Sequence, residues 1–171
     1  MATKVLMDVE EYLRTSFENA DCEFLDGEVV ERNMGEMPHS IVQRKLTVLL
    51  DPLSERLGLQ IMPEIRIQIN PRRYRVADIA VWRAGNIGTR IPTVPPFLAV
   101  EILSAEDRLV RMQPKIQEYL SIGVEYVWLI DPEERRALIY SPQVPTGQLT
   151  EVLRTENPAI EIPLASVLPP E

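Results

Sequence analysis

The pattern of apolar residues changes period along the chain. Val42, Leu46, Leu49, Leu50 and Leu53 recur at the 3.6-residue spacing of one helix face, and Pro38 stands where such a helix opens. From Pro63 to Asn70 the period becomes two: Ile65, Ile67 and Ile69 alternate with Glu64, Arg66 and Gln68, which predicts a half-exposed strand. The runs Arg75 to Trp82, Phe97 to Leu103 and Tyr126 to Ile130 are denser, as expected of central strands covered on both faces.

Shorter signals fill the gaps. Residues 7–18 read as a short amphipathic helix. Cys22 to Arg32 reads as a hairpin around the two-residue turn Asp26-Gly27. In that register Leu25 faces Glu28 and Glu23 faces Val30, so both acids share one face. Pro114 to Ser121 predicts a short helix with proline in its first turn and Gly123 as its C-terminal cap. Asp131-Pro132 stops the last dense strand. Ala137 to Tyr140 and Leu149 to Leu153 complete the sheet or its edge, and after Thr155 the chain reads as a surface tail. Strands and helices follow one another without a regular βαβ rhythm. The expected class is α/β (α+β), a mixed central sheet flanked by helices.

With 171 residues the chain suits a single domain, with a core at about 10–142 and a C-terminal surface extension at 143–171. The seven glycines form no phosphate-binding loop, which disfavours a nucleotide-binding fold. One cysteine and one histidine exclude an intrachain disulfide and a Cys/His zinc cluster. Any metal must rest mainly on oxygen ligands, which favours Mg2+, with Mn2+ as the alternative. No apolar run approaches a membrane span, and Asp8, Glu10 and Glu11 interrupt what a signal peptide would need. The expected location is cytoplasmic.

The net charge of −8 speaks against a nucleic-acid partner. Its distribution speaks the other way: Arg66 to Lys115 holds nine basic residues and four acids, a local +5. That window is either chance scatter or a face turned toward a polyanion.

Two acids interrupt the two most apolar strands, Asp78 in VADIAVW and Glu101 in FLAVEILS. A carboxylate inside a buried strand is costly unless it is paired or metal-bound. Each alone suggests an ion pair; both together, on neighbouring strands, suggest ligands for one cation. Metal nucleases also want a nearby ammonium. Leu103, two positions after Glu101, cannot supply it. Lys115 can, from the first turn of the next helix; otherwise it is a solvated lysine paired with Glu118. His39, near the start of its helix, turns toward the core and is either structural or part of the site, with Glu23 or Glu28 as an auxiliary acid.

CEFLDGEVVE, MPHS opening a helix, RVADIAVW, FLAVEILS and K-x3-Y-x3-GVEYVWLIDP, in this order, resemble the Uma-two group of proposed restriction endonucleases, placed in the PD-(D/E)XK superfamily. The resemblance spans roughly residues 10–142. It implies a restriction-endonuclease-like core. Asp78 matches the strand aspartate, Glu101 the second acid, Ile102 the residue whose carbonyl can ligate metal, and Lys115 the helix lysine. Glu23 and His39 match an early acid and histidine. Ala77 replaces a frequent proline, and LSAED replaces a Ser-Pro turn. The implied activity is Mg2+-dependent hydrolysis of DNA phosphodiester bonds, and a homodimer is compatible with it. The alternatives are a silent binding or assembly module, or a hydrolase of another phosphate ester.

Overall fold

The computed structural model describes residues 6–17, 22–32, 35–85, 87–88, 90–104 and 109–170, without the side chains of 109–111. Arg108, the Arg111 side chain and the turn following Ser104 therefore lie outside what is described.

The chain opens with α1 (Val9–Arg14), capped by the Asp8 side chain and shorter than the expected helix over 7–18. The hairpin β1 (Cys22–Leu25) and β2 (Glu28–Glu31) follows in the expected register, Glu23 opposite Val30 and Leu25 opposite Glu28. Tyr12 of α1 stacks on Phe24, with ring centroids 5.0 Å apart, and this fixes the helix to the hairpin.

The long helix α2 (Met37–Leu57) has Pro38 in its first turn and ends at Gly58, whose left-handed backbone (φ 62) closes it. Val42, Leu46 and Leu50 are buried as the period predicts, while Leu49 turns outward. Then come β3 (Leu59–Asn70), longer than the Pro63–Asn70 expectation, β4 (Arg73–Arg83) and β5 (Leu98–Ile102). The helix α3 (Leu109–Ser121) crosses to β6 (Tyr126–Asp131), parallel to β5. Pro114 lies well inside α3, not in its first turn, so Lys115 lies beyond the positive end of the helix dipole.

β7 (Arg136–Ser141) and β8 (Val144–Thr150) extend the sheet antiparallel. The order is β2-β1-β4-β5-β6-β7-β8, with β3 on β4, giving the expected mixed sheet of eight strands. α2 covers one face, where Ile79, Val81, Val100, Ile102, Trp128 and Ile130 pack. α3 covers the other, where Ala80, Trp82, Ala99, Val127 and Leu129 pack. The dense strands are thus buried on both faces, for the reason their composition suggested.

The C-terminal expectation needs correcting. The predicted strand Leu149–Leu153 breaks at Glu151. Its second half belongs to β9 (Val152–Glu156), which among the described strands pairs with β10 (Ala159–Pro163) alone, and α4 (Leu164–Val167) follows. Leu153, Ile160, Ile162, Leu164, Val167 and Leu168 are buried in the α2-side core, and Lys45 of α2 donates to the Leu168 carbonyl at 2.6 Å. Residues 143–170 are therefore no surface extension: β8 completes the sheet, and β9, β10 and α4 add to the core. Among the described residues no helix is long and apolar enough to cross a membrane.

Candidate active site

β3 follows β4 along almost its whole length. On the other edge β4 pairs with β1 only at Arg73 and Tyr74, and with β5 only at Ile79 to Val81. Between these pairings the ladder is open, and side chains fill it. The Val76 N–H donates to Glu23 Oε1 at 3.2 Å, and the Val76 carbonyl accepts from Lys115 Nζ at 2.8 Å. The sheet's backbone demand for partners thus draws an acid and a lysine inward.

One register step beyond Ile79–Val100, Asp78 stands opposite Glu101 on neighbouring strands. Both are buried, at 1% and 2% exposure. They line one cleft of about 240 Å³ together with Glu23, His39, Ile102 and Lys115. Of the residues singled out from the sequence, these six line one cleft. Arg32 and Arg75 line it too; Glu28 does not.

Asp78 is fully engaged. Its Oδ1 accepts from Arg32 and lies 3.3 Å from His39 Nε2; its Oδ2 accepts the Ile102 N–H at 2.6 Å. Burial pushes its carboxyl up, but the His39 hydrogen bond and the Arg32 charge outweigh this and hold it below its ordinary value. Burial disfavours charged His39, yet the bond to Asp78 raises it above the usual imidazole value. His39 Nδ1 is buried without a hydrogen-bond partner among the described residues.

Glu101 is held by one helix. Lys115 Nζ and Tyr119 Oη, one turn apart on α3, donate to its two oxygens at 2.8 Å each. Burial nevertheless pushes its carboxyl up to about 7, with Lys115 pulling the other way and Asp78 adding to the rise. Lys115 also meets Glu23 Oε1 at 2.9 Å. Burial pushes Glu23 up, but Lys115 and Arg75 together bring it down to about 2. For Lys115 the two carboxylates outweigh burial, and its ammonium is held above its ordinary value.

This overturns the solvated-lysine alternative. Lys115 is buried, and Glu118 instead takes Arg73 and Arg75. Part of the basic window is engaged within the fold, while Arg108 and the Arg111 side chain lie outside the described residues. Arg73 and Arg75 are paired, Arg83 is bidentate to Glu125, Arg66 lies over the Tyr12 ring, and Arg90 donates to Leu13. Among the described residues Glu23 makes no hydrogen bond or ion pair with Asp78 or His39; it clamps Lys115. At Ile102 the described contact with Asp78 is through the N–H, not the carbonyl. Among the described residues no three His, Cys, Asp or Glu side chains form a ready-made metal cage.

Three contributors escaped the sequence reading. Tyr119 was legible as K-x3-Y, one helix turn from Lys115. Arg32 and Gln43 gave no local signal. Gln43 Nε2 donates to the Asp78 carbonyl at 3.0 Å, where Glu64 (φ 48) leaves the β3–β4 ladder.

A family model described as "Uma2: Putative restriction endonuclease" matches residues 9–168. A crystal structure of "a putative nuclease belonging to DUF820" from Anabaena variabilis ATCC 29413 superimposes with a TM-score of 0.81 at 19% sequence identity. That match covers 94% of this chain and 97% of the other. The DrdV–DNA complex, solved by cryo-electron microscopy, gives a TM-score of 0.37 at 14% identity over 65% of this chain and 12% of that one, too remote to bear on the fold. No curated protein matches the sequence.

Proposed function

This chain belongs to the Uma2 family of proposed restriction endonucleases, and from that premise we propose that it is a metal-dependent nuclease hydrolysing DNA phosphodiester bonds. The observation that supports this best is the meeting of Asp78, Glu101 and Lys115 in one cleft, on the strands and helix where the family pattern puts its acids and lysine.

The donor set fits a hard divalent cation. It is made of oxygens, and magnesium ordinarily takes one or two carboxylates and keeps several waters, so no closed cage is required. Glu101 adds a second sign of fit: its carboxyl rises to about 7 even with Lys115 in contact, so a further cation would relieve the pocket. Asp78 and Glu101 would hold the ion, with the Ile102 carbonyl as third ligand; magnesium is the first choice and manganese the substitute. Such an ion polarises the phosphate and lowers the pKa of its water.

The chain's own residues supply orientation and charge. Lys115, gripped by two carboxylates and a carbonyl, remains an ammonium. It serves as a fixed positive charge toward the developing negative charge at phosphorus, not as a base. Glu23 holds Lys115, Tyr119 orients Glu101, and His39 orients Asp78. A lone free thiol, Cys22, suits a reducing cytoplasm.

Plasmid and single-stranded DNA incubated with the protein and Mg2+ or Mn2+ should be cleaved, and a chelator should abolish the cleavage. No cleavage with either ion overturns the reading; cleavage that survives chelation overturns its metal dependence. A second reading, a silent binding module, draws on one observation: all four oxygens of Asp78 and Glu101 already accept hydrogen bonds or ion pairs from the protein. Such a module would show no saturable Mn2+ binding.

A further inference from the structure

Asp78 Oδ1 faces two basic side chains at once. Arg32 and His39 both converge on it, and two lone pairs serve no third partner. His39 is fixed by the helix backbone and by close packing against Gly35, where an added Cβ would lie 2.9 Å from Nδ1. Arg32 is placed differently. It follows the last residue of a hairpin strand, its side chain is 18% exposed, and its guanidinium forks between two carboxylates. One arm is on Asp78; the other is on Glu64 Oε2 at 2.6 Å.

Glu64 is itself unusual. Its left-handed backbone, φ 48 within a strand, is uncommon for a residue with a side chain. It omits the ladder pairing opposite Asp78 and leaves its carboxylate on Arg32 and Gln43. Arg32 therefore has two seats, one inside the cleft and one at its rim, where Glu64 is 36% exposed.

We propose that Arg32 is the cleft's built-in counter-cation: it holds Asp78 in the metal-free protein, and metal loading moves its guanidinium off Asp78, leaving it seated on Glu64 alone. This rests on the metal reading above. A divalent ion and a guanidinium repel each other at one carboxylate oxygen. Arginine cannot lose its proton to make way, so it must move. Glu64 keeps the displaced charge compensated. Metal affinity is thereby set by two residues outside the ligand set.

The experiment is Mn2+ titration by calorimetry, with the Mn2+-induced rise in Tm as a second readout. Wild type, Arg32→Gln, Glu64→Gln, their double variant and Asp78→Asn are each compared with their own metal-free state. Arg32→Gln should bind Mn2+ roughly 10- to 100-fold tighter, the factor that one charge-assisted hydrogen bond represents. Glu64→Gln should bind it more weakly than wild type, and the double variant should match Arg32→Gln, because without the arginine Glu64 has no displaced guanidinium to receive. If wild type binds Mn2+, Asp78→Asn does not, and Arg32→Gln binds no tighter than wild type, the counter-cation role is overturned while the metal site stands. If neither wild type nor Arg32→Gln binds Mn2+ saturably, both fall. Should Arg32→Gln prove too unstable to titrate, Arg32→Lys keeps the charge without the fork; affinity above wild type supports the role, and affinity equal to wild type overturns it.

Discussion

On the α2 side of the cleft, Asp78 meets Arg32, His39 and a backbone N–H; on the α3 side, Glu101 meets Tyr119 and a lysine it shares with Glu23. The two acids are buried alike and face each other across neighbouring strands. Their acidities part: Asp78 is held below its ordinary value and Glu101 is raised to about 7. Burial acts on both in the same direction, so the difference lies in the partners. Asp78 has a guanidinium and an imidazole close by. Glu101 has one ammonium, divided with another acid. The α2 side is a closed ion-pair network, and the α3 side is left short of positive charge. Opposed shifts on paired groups are what acid–base and metal chemistry use.

The largest expected effect breaks the α3 side. Lys115→Met leaves Glu23 and Glu101 buried without their shared cation and should cost about 3–5 kcal/mol in denaturant unfolding. In the fraction that remains folded, DNA cleavage should fall by ~10²-fold or more, as when one transition-state stabiliser is lost. Unchanged unfolding would contradict the buried clamp; unchanged cleavage would remove Lys115 from the proposed chemistry.

Glu23 and Glu101 should give stability profiles of opposite slope. Glu23 is depressed from 4.5 to about 2, so its contribution is complete above 4.5 and is lost as pH falls through 2. Glu23→Gln should remove ~3 kcal/mol of acid-dependent stability. Glu101 is raised from 4.5 to about 7, so its contribution is complete below 4.5 and is lost as pH rises through 7. The stability of wild type relative to Glu101→Gln should therefore decline between those values, by a similar amount. Thermal unfolding across pH 2–8 reads both, and parallel slopes would erase the contrast between the two acids.

Smaller effects sharpen it. Tyr119→Phe removes one donor to a charged, buried acceptor and should cost about 1.5–3 kcal/mol. It should also move the Glu101 transition to higher pH, followed by carboxyl NMR; no movement would mean the hydroxyl does not support the charge. Smallest of all is Glu125→Gln. Its bidentate pair with Arg83 resembles the cleft pairs in geometry but is about half exposed, 44% and 47%. A change within ~1 kcal/mol is expected. A larger loss would show that geometry, and not burial, makes the cleft pairs matter.

Much of the frame follows from the sequence alone. The hairpin register came from Asp26-Gly27, because a two-residue turn fixes pairing locally. The face of α2 came from the spacing of Val42, Leu46 and Leu50, although Leu49 turned out. The doubly covered strands came from apolar density, and it was within them that Asp78 and Glu101 stood out. Ile160 and Ile162 carried a period-two signal that could have rescued β10 from the supposed tail. These are properties of residues two to four positions apart.

What pairs with what was decided only by the tertiary structure. Arg32 and Asp78 are 46 residues apart in sequence, and Arg75 and Glu23 are 52 apart. The basic window stayed ambiguous because a count of charges does not see the acids that the fold brings to part of it, as Glu118 to Arg73 and Arg75. The choice between a site lysine and a solvated one stayed open at Lys115 because its role depends on a gap in the ladder between β1 and β5, a feature of sheet topology and not of α3. Local patterns choose the elements, since backbone geometry sets their periods. The charge state of the cleft is a sum over long-range partners, and those exist only once the chain has folded.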